Sequence, residues 1–224
     1  MTYFDEKSPG KVLVTSGPTR AWLDRVRYIA NTSTGALGAR VAEALVSRGI
    51  RVKLIRGLGG ESPSVNVSSL LEEVEVVTID DLIEQIRITA ASGNIRTVVH
   101  AMAVLDYVPE CALGEKRTSS AEYWDVRLVR APKVIALIRA LLPDACTVGL
   151  KLEAGVSEEE LIARAHDSLR RYNLDMVVAN DLDRVGPDSH EAILVAPGGM
   201  ILHRASSKKE IAAKIVEFIV SRMS

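Results

Sequence analysis

Asn31 is followed by three hydroxyl residues and a glycine, Thr32-Ser33-Thr34-Gly35, just ahead of apolar residues at helical spacing, Leu37, Val41, Ala44 and Leu45. Hydroxyls and unpaired backbone N–H groups at the positive end of a helix suit phosphate oxygens. Ser33 or Thr34 can equally serve as an ordinary N-cap, with Gly49 as the stop. Lys116 and Arg117 lie in a stretch without periodicity, where a mobile cation could close over a polyphosphate, or where two loop cations are simply solvated. Asp106 suits a sugar hydroxyl, a metal or a base, or only starts the turn before Pro109. His100 reads as a packed strand-end histidine, because no partner ligands are spaced around it.

Several familiar chemistries lack an anchor. Neither GxGxxG nor GxxxxGK[ST] follows the first strand, which weakens dinucleotide and Walker-type readings. There is no GxSxG elbow and no HExxH helix. Cys111 and Cys146 sit in no metal-ligand or disulfide spacing, and a reducing cytoplasm fits them.

These residues need a frame that holds them. Short β-branched runs alternate with amphipathic stretches, the pattern of strands linked through crossover helices. Strands are expected at 11–16, 51–56, 74–79, 96–102, 123–129, 146–150 and 174–179. Helices are expected after Gly35, over 80–91 and from Pro132, which suits a first helical turn. Further helices begin at the capping-box pairs Ser157/Glu160 and Ser207/Glu210. A hairpin is expected from 192–195 and 200–203 around Pro197-Gly198-Gly199. The run 103–120 is long and irregular, which in a compact domain points to a lid. The expected fold is a single three-layer α/β domain, Rossmann-like, with a largely parallel central sheet and a C-terminal β-hairpin. It would occupy residues 1–224, with 1–10 as a flexible N-terminus.

In such a sheet, ligands collect at the carboxyl ends of the strands. The segments expected there are 16–20, 100–106, 150–153 and 179–181. Composition narrows the partners: across 224 residues, 28 Lys+Arg face 29 Asp+Glu, for a formal net charge of -1. That balance gives no global field for gripping nucleic acid or an anionic membrane, so an anion site must be local. No apolar run is long enough to span a bilayer, and residues 1–10 lack a secretion signal's pattern. The protein is therefore expected to be soluble and cytoplasmic.

Taken together, Thr15 to Gly38 (TSGPTRAWLDRVRYIANTSTGALG) and His100 to Pro109 (HAMAVLDYVP) resemble the phosphopantothenoylcysteine synthetase family, the phosphopantothenate-cysteine ligases of coenzyme A biosynthesis. VRAPKVI, GLKLEAG and VVAND continue the likeness in order. The resemblance implies a two-step ligation. The carboxylate of 4'-phosphopantothenate attacks the α-phosphate of a nucleotide, releasing pyrophosphate, and the cysteine amine then displaces the nucleotide. It implies CTP, or ATP, as co-substrate with Mg2+, and a homodimer. FMN is not expected, since no flavin-binding decarboxylase half precedes the domain.

By the same resemblance, Asn31 would act on the acyl-nucleotide and Lys116 would be the lid lysine. Arg27, Ser33 and Gly35 would meet substrate. Gly17, His100, Ala101, Met102, Ala103, Asp106, Lys116, Val129, Arg130, Ala131, Pro132, Leu150 and Asn180 would line the nucleotide site; metal ligands are not assigned. The lid reads Lys116-Arg117-Thr118-Ser119 where many bifunctional members have K-x-K-K, and Leu150 replaces a common aromatic. Arg164 and Arg171 could reach triphosphate oxygens or form a solvated face. Two other readings stay open: a nucleotide-binding regulatory module without turnover, and a nicotinamide-dependent oxidoreductase.

Overall fold

The computed structural model describes residues 10–64, 69–186 and 189–223. The flexible N-terminus expected for 1–10 lies, apart from Gly10, outside the described residues. The first strand, β1 (Lys11–Ser16), is buried on both faces from Val12 onward, as a central parallel strand requires. A small antiparallel pair, β2 (Arg20–Trp22) and β3 (Tyr28–Ala30), then interrupts the path to helix α1 (Ala36–Val46). The chain continues through β4 (Val52–Gly57), β5 (Leu71–Val76), α2 (Ile79–Ala91) and β6 (Ile95–His100). A second small pair, β7 (Tyr107–Pro109) and β8 (Leu128–Arg130), precedes α3 (Val134–Leu141). Next come β9 (Cys146–Glu153), α4 (Glu158–Tyr172) and β10 (Met176–Asp181). The hairpin β11 (Ala192–Ala196) and β12 (Met200–Ala205) leads into α5 (Lys208–Met223).

Eight strands form the main sheet in the order β5-β4-β1-β6-β9-β10-β11-β12. The pairs from β5 to β10 are parallel, and the C-terminal hairpin adds two antiparallel strands. Helices α1 and α5 cover one face, burying Leu45 and Ile215 against Val12, Val14, Leu54 and Val178. On the other face, α2 and α3 bring Leu82 and Ile138 to Leu13, Ile55 and Val98. Helix α4 seals the rest of that face through Leu161, Ala165 and Leu169. The expected three-layer Rossmann-like architecture and its hairpin are both present.

Several boundaries differ from the sequence expectations. The cap of α1 is Gly35, at φ 75°, and neither Ser33 nor Thr34. Their hydroxyls hold the lead-in turn instead: Ser33 Oγ accepts from Gly35 N at 3.4 Å and Thr34 Oγ1 from Ala36 N at 3.2 Å. Pro132 stands before the Lys133 cap, outside the first turn of α3. Only the end of the expected 123–129 strand forms, as β8, and it pairs with β7 and not with the main sheet. The expected 74–79 strand starts earlier and gives way to α2 at Ile79, because Thr78 and Asp81 complete a reciprocal capping box there. The strand end expected at Leu150 falls at Glu153, leaving Leu150 partly buried against the core under α1 and α5.

Candidate active site

The order of strands reverses beside β1: the chain moves outward through β4 and β5, then returns to β6 on the other side. This switch point is where an open α/β sheet offers a crevice. Here the two chain exits stay joined beyond the sheet. Ala103 N donates to Gly17 O at 2.9 Å, Thr19 N to Ala103 O at 3.3 Å and Leu105 N to Thr19 Oγ1 at 3.2 Å. Pro18 and Ala103 form a parallel bridge.

Glycines let α1 begin directly against this floor. A Cβ on Gly38 would lie 2.4 Å from Ser16 Oγ, far inside contact distance. Ser16 Oγ in turn donates to Gly35 O at 2.8 Å. Gly17, Ser33 and Gly35 therefore gather where the first-turn N–H groups of α1 have no intrahelical acceptor. His100, at the end of β6, shares a 2.7 Å hydrogen bond between its Nδ1 and Thr15 Oγ1. Burial pushes its imidazole down to about 4.

The β2–β3 hairpin connects this floor to the irregular stretch. At its base, Asn31 Nδ2 donates to Val104 O at 3.1 Å, two residues before Asp106. At its tip, Asp24 is 1% exposed. Its Oδ1 accepts from Val26 N and Arg27 N, both at 2.8 Å, and its Oδ2 accepts from Arg117 N at 3.2 Å. Burial works to raise the Asp24 carboxyl, but the three backbone donors and the Arg27 charge outweigh it and hold the group below its ordinary value. Arg27 Nη2 donates to Arg117 O at 3.0 Å, and the guanidinium groups of Arg27 and Arg117 lie 5.4 and 5.2 Å from the Trp124 ring centre. Lys116 is exposed, one residue before this anchor.

Asp106 is exposed and ion-paired with Lys133, and its carbonyl accepts from Ala131 N at 2.9 Å. That bond and the β7–β8 pairing bring Val129, Arg130, Ala131 and Pro132 beside Asp106. Ala101, Met102 and Ala103 continue from β6 toward the same place. Asn180 stands apart on β10, which β6 and β9 separate from β1, and is 6% exposed opposite Leu152; Leu150 lies on β9, one residue past Gly149, the partner of His100, and is partly buried against the core. Arg164, for which a triphosphate contact and a solvated face were both open, is partly exposed and ion-paired with Glu153 and Glu160. Among the described residues, no group of three or more His, Cys, Asp or Glu side chains could hold a metal ion.

Sequence reasoning did not single out Asp24, Trp124 or Lys133. The chain reversal just after Asp24 is an Asx-turn signal that could have marked it. Its partner 93 residues away carries no local signal. Lys133 lies inside the VRAPKVI segment, but its pairing depends on how β7 and β8 meet.

The sheet order and the loops above β1 and β6 together define a doubly wound α/β domain with a candidate loop-built site at the switch point. The chain belongs to the DNA/pantothenate metabolism flavoprotein C-terminal domain family, which it matches over residues 8–223. Through its relatives it falls in the phosphopantothenoylcysteine synthetase family.

The chain is 34% identical over 206 residues to the Coenzyme A biosynthesis bifunctional protein CoaBC of Thermococcus kodakarensis, covering 92% of this chain and 49% of that protein. The corresponding protein of Methanocaldococcus jannaschii is 32% identical over 214 residues, covering 95% of this chain and 51% of the relative. The chain thus spans about half the length of the curated relatives it matches. Among solved structures, the DNA/pantothenate metabolism flavoprotein from Streptococcus pneumoniae superposes with a TM-score of 0.86 at 30% identity, covering 95% of this chain and 99% of that one. A Cab2 mutant in complex with phosphopantothenate-cysteine shares the fold, with a TM-score of 0.77 at 20% identity, covering 96% of this chain and 86% of the other.

Proposed function

We propose that the protein joins 4'-phosphopantothenate to L-cysteine, using CTP, or ATP, and releasing pyrophosphate. The observation that carries this reading is the β2–β3 hairpin, which ties Asn31 to the β6 exit at one end and the Lys116-Arg117 stretch at the other. A carboxylate is a poor acyl donor because oxide would have to leave. Attack of a carboxylate oxygen on the α-phosphorus breaks the bond to pyrophosphate and leaves a nucleoside monophosphate as the new leaving group. The cysteine amine then attacks the acyl carbon and the monophosphate departs with the electron pair.

Each demand has a group suited to it. The α1 terminus with Gly17, Ser33 and Gly35 suits phosphate oxygens, and Arg27 suits an anionic substrate. The Asn31 amide is a neutral donor for oxyanion charge developing at the acyl carbon. Lys116 offsets charge on the departing pyrophosphate. Asp106, with 100–103 and 129–132, forms the nucleotide wall, and we keep Leu150 and Asn180 as outlying members of it. Bound Mg2+ would screen triphosphate charge; with no three-ligand cluster among the described residues, the triphosphate oxygens themselves would supply most of its ligands. The steps change no oxidation state, so they call for no FMN.

Free cysteines at 111 and 146 suit a cytoplasmic setting. No helix among the described residues is long and apolar enough to cross a membrane. We place the domain at 1–224.

The test is pyrophosphate release from 4'-phosphopantothenate, Mg2+ and either CTP or ATP. Release should require both the acid and a nucleotide, run faster with CTP, and yield an amide only when cysteine is present. Folded protein that releases no pyrophosphate with either nucleotide would reject the reading. In the same assay, Asn31→Ala should accumulate acyl-nucleotide while amide formation falls by about a hundredfold, the scale of losing one oxyanion donor; amide formation at the normal rate would remove that role.

A further inference from the structure

Asp24 has a chemistry that the ligation reading leaves unused. It is 1% exposed, yet its acceptors face a segment that is itself largely exposed. One oxygen is fully engaged in closing the β2–β3 turn, through Val26 N and Arg27 N. The other reaches 93 residues along the chain to Arg117 N, while Arg27, 3.6 Å away across an ion pair, donates to Arg117 O. Residue 117 is thus held by its N–H on one side and its C=O on the other. The N–H belongs to the peptide bond joining Lys116 to Arg117. Fixing that peptide plane fixes the backbone torsion that aims the Lys116 side chain. Leu113 N adds a second tie, donating to Leu23 O at 2.9 Å.

We infer that Asp24 is a positioning residue for the lid: it anchors the Arg117 peptide to the hairpin tip and so holds Lys116 over the site. The inference rests on the ligation reading for what Lys116 does, but not for whether the anchor exists. A carboxylate suits the task because it has acceptors on both oxygens. Asparagine has the same shape and keeps one acceptor, so Asp24→Asn should retain the Val26 and Arg27 bonds while turning an N–H donor toward Arg117 N.

Hydrogen exchange on the full chain, read by mass spectrometry, separates the anchor from the fold. In Asp24→Asn, amides of 110–120 should exchange about tenfold faster while those of 20–30 keep their wild-type rates. Turnover should fall by about tenfold with KM for the nucleotide changed by less than about threefold, because Asp24 meets no residue of the nucleotide wall; KM for the acid should rise, since the Arg27 ion pair is lost as well. Unchanged lid exchange overturns the inference, and so does faster lid exchange with normal turnover. Equal loosening of hairpin and lid also overturns it, since Asp24 would then act on the hairpin's fold. If Asp24→Asn does not fold, Arg117→Pro removes the N–H from the other side and must reproduce both effects; normal turnover in it overturns the inference. If wild-type protein releases no pyrophosphate, the ligation reading fails, and exchange alone decides whether Asp24 holds the segment.

Discussion

His100 and Glu210 lose and gain protons under opposite local conditions, yet they bias stability the same way. Burial lowers the His100 imidazole from 6.5 to about 4, so the folded protein keeps the ring neutral where an unfolded chain would protonate it. Glu210 is lowered from 4.5 to about 2, first by the Ser206 backbone N–H, then by His203 and the Ser206 hydroxyl. In both cases the unfolded chain binds more protons, so stability falls with falling pH. The His100 contribution is full above about 6.5 and fades toward about 4, and the Glu210 contribution fades from about 4.5 to about 2. Urea midpoints should therefore decline through two adjoining windows, and Glu210→Gln should flatten only the lower one. A His100 ring resonance titrating near 6.5 would contradict the upper window. The identity of His100 as a strand-end residue was legible from its apolar flanks. Its neutrality was not, because that comes from burial between neighbouring strands far apart in sequence.

Elements were legible where one local cause dominates. The Lys11–Ser16 strand was readable to the residue from its β-branched run, and Ser157 does cap α4, accepting from Glu160 N at 3.2 Å. The β2–β3 and β7–β8 pairs were hidden, since three-residue strands have too few alternations to show a period and form through contacts with each other and with the sheet's rim. The start of α1 was obscured in a different way: Ser33 and Thr34 both offer a capping hydroxyl, and only the close packing on Ser16 selects Gly35. Gly38→Ala tests that packing. Helix propensity alone favours alanine by about 1 kcal/mol. A Cβ placed 2.5 Å from Ser16 Cβ must nevertheless push α1 away from β1, and overpacking of this kind costs about 1–3 kcal/mol. The variant should melt below wild type, and a Ser16→Gly background should recover part of the loss. A higher melting temperature would show that α1 has room to move.

For the molecule as a whole, the two small hairpins carry a concentration of exposed apolar side chains that the main sheet does not need. Trp22, Val26, Tyr28, Tyr107, Leu113 and Leu128 are each between 38 and 56% exposed. Exposed apolar side chains gathered on two hairpins that touch through β2 and β7 suit an interface. We propose that a second copy of the chain covers it, giving the homodimer that the family resemblance implies. Sedimentation should give a mass near twice 24.3 kDa, and Val26→Glu with Leu128→Glu should shift it to a single chain. Wild-type protein sedimenting at 24.3 kDa at micromolar concentration would refute the dimer.

The parallel sheet also decides where anything further could be attached. Lys11 enters beside Asn94 at the amino ends of the strands, and α5 returns to that same rim, where Arg222 lies 3.8 Å from Asp175 just before β10. Both tethering points thus lie across the molecule from the Asn31 loop. A neighbouring module joined to either would hang from the back of the domain like luggage, leaving the mouth clear for small molecules to come and go. Fusion and separation are then equally compatible with one unaltered workplace.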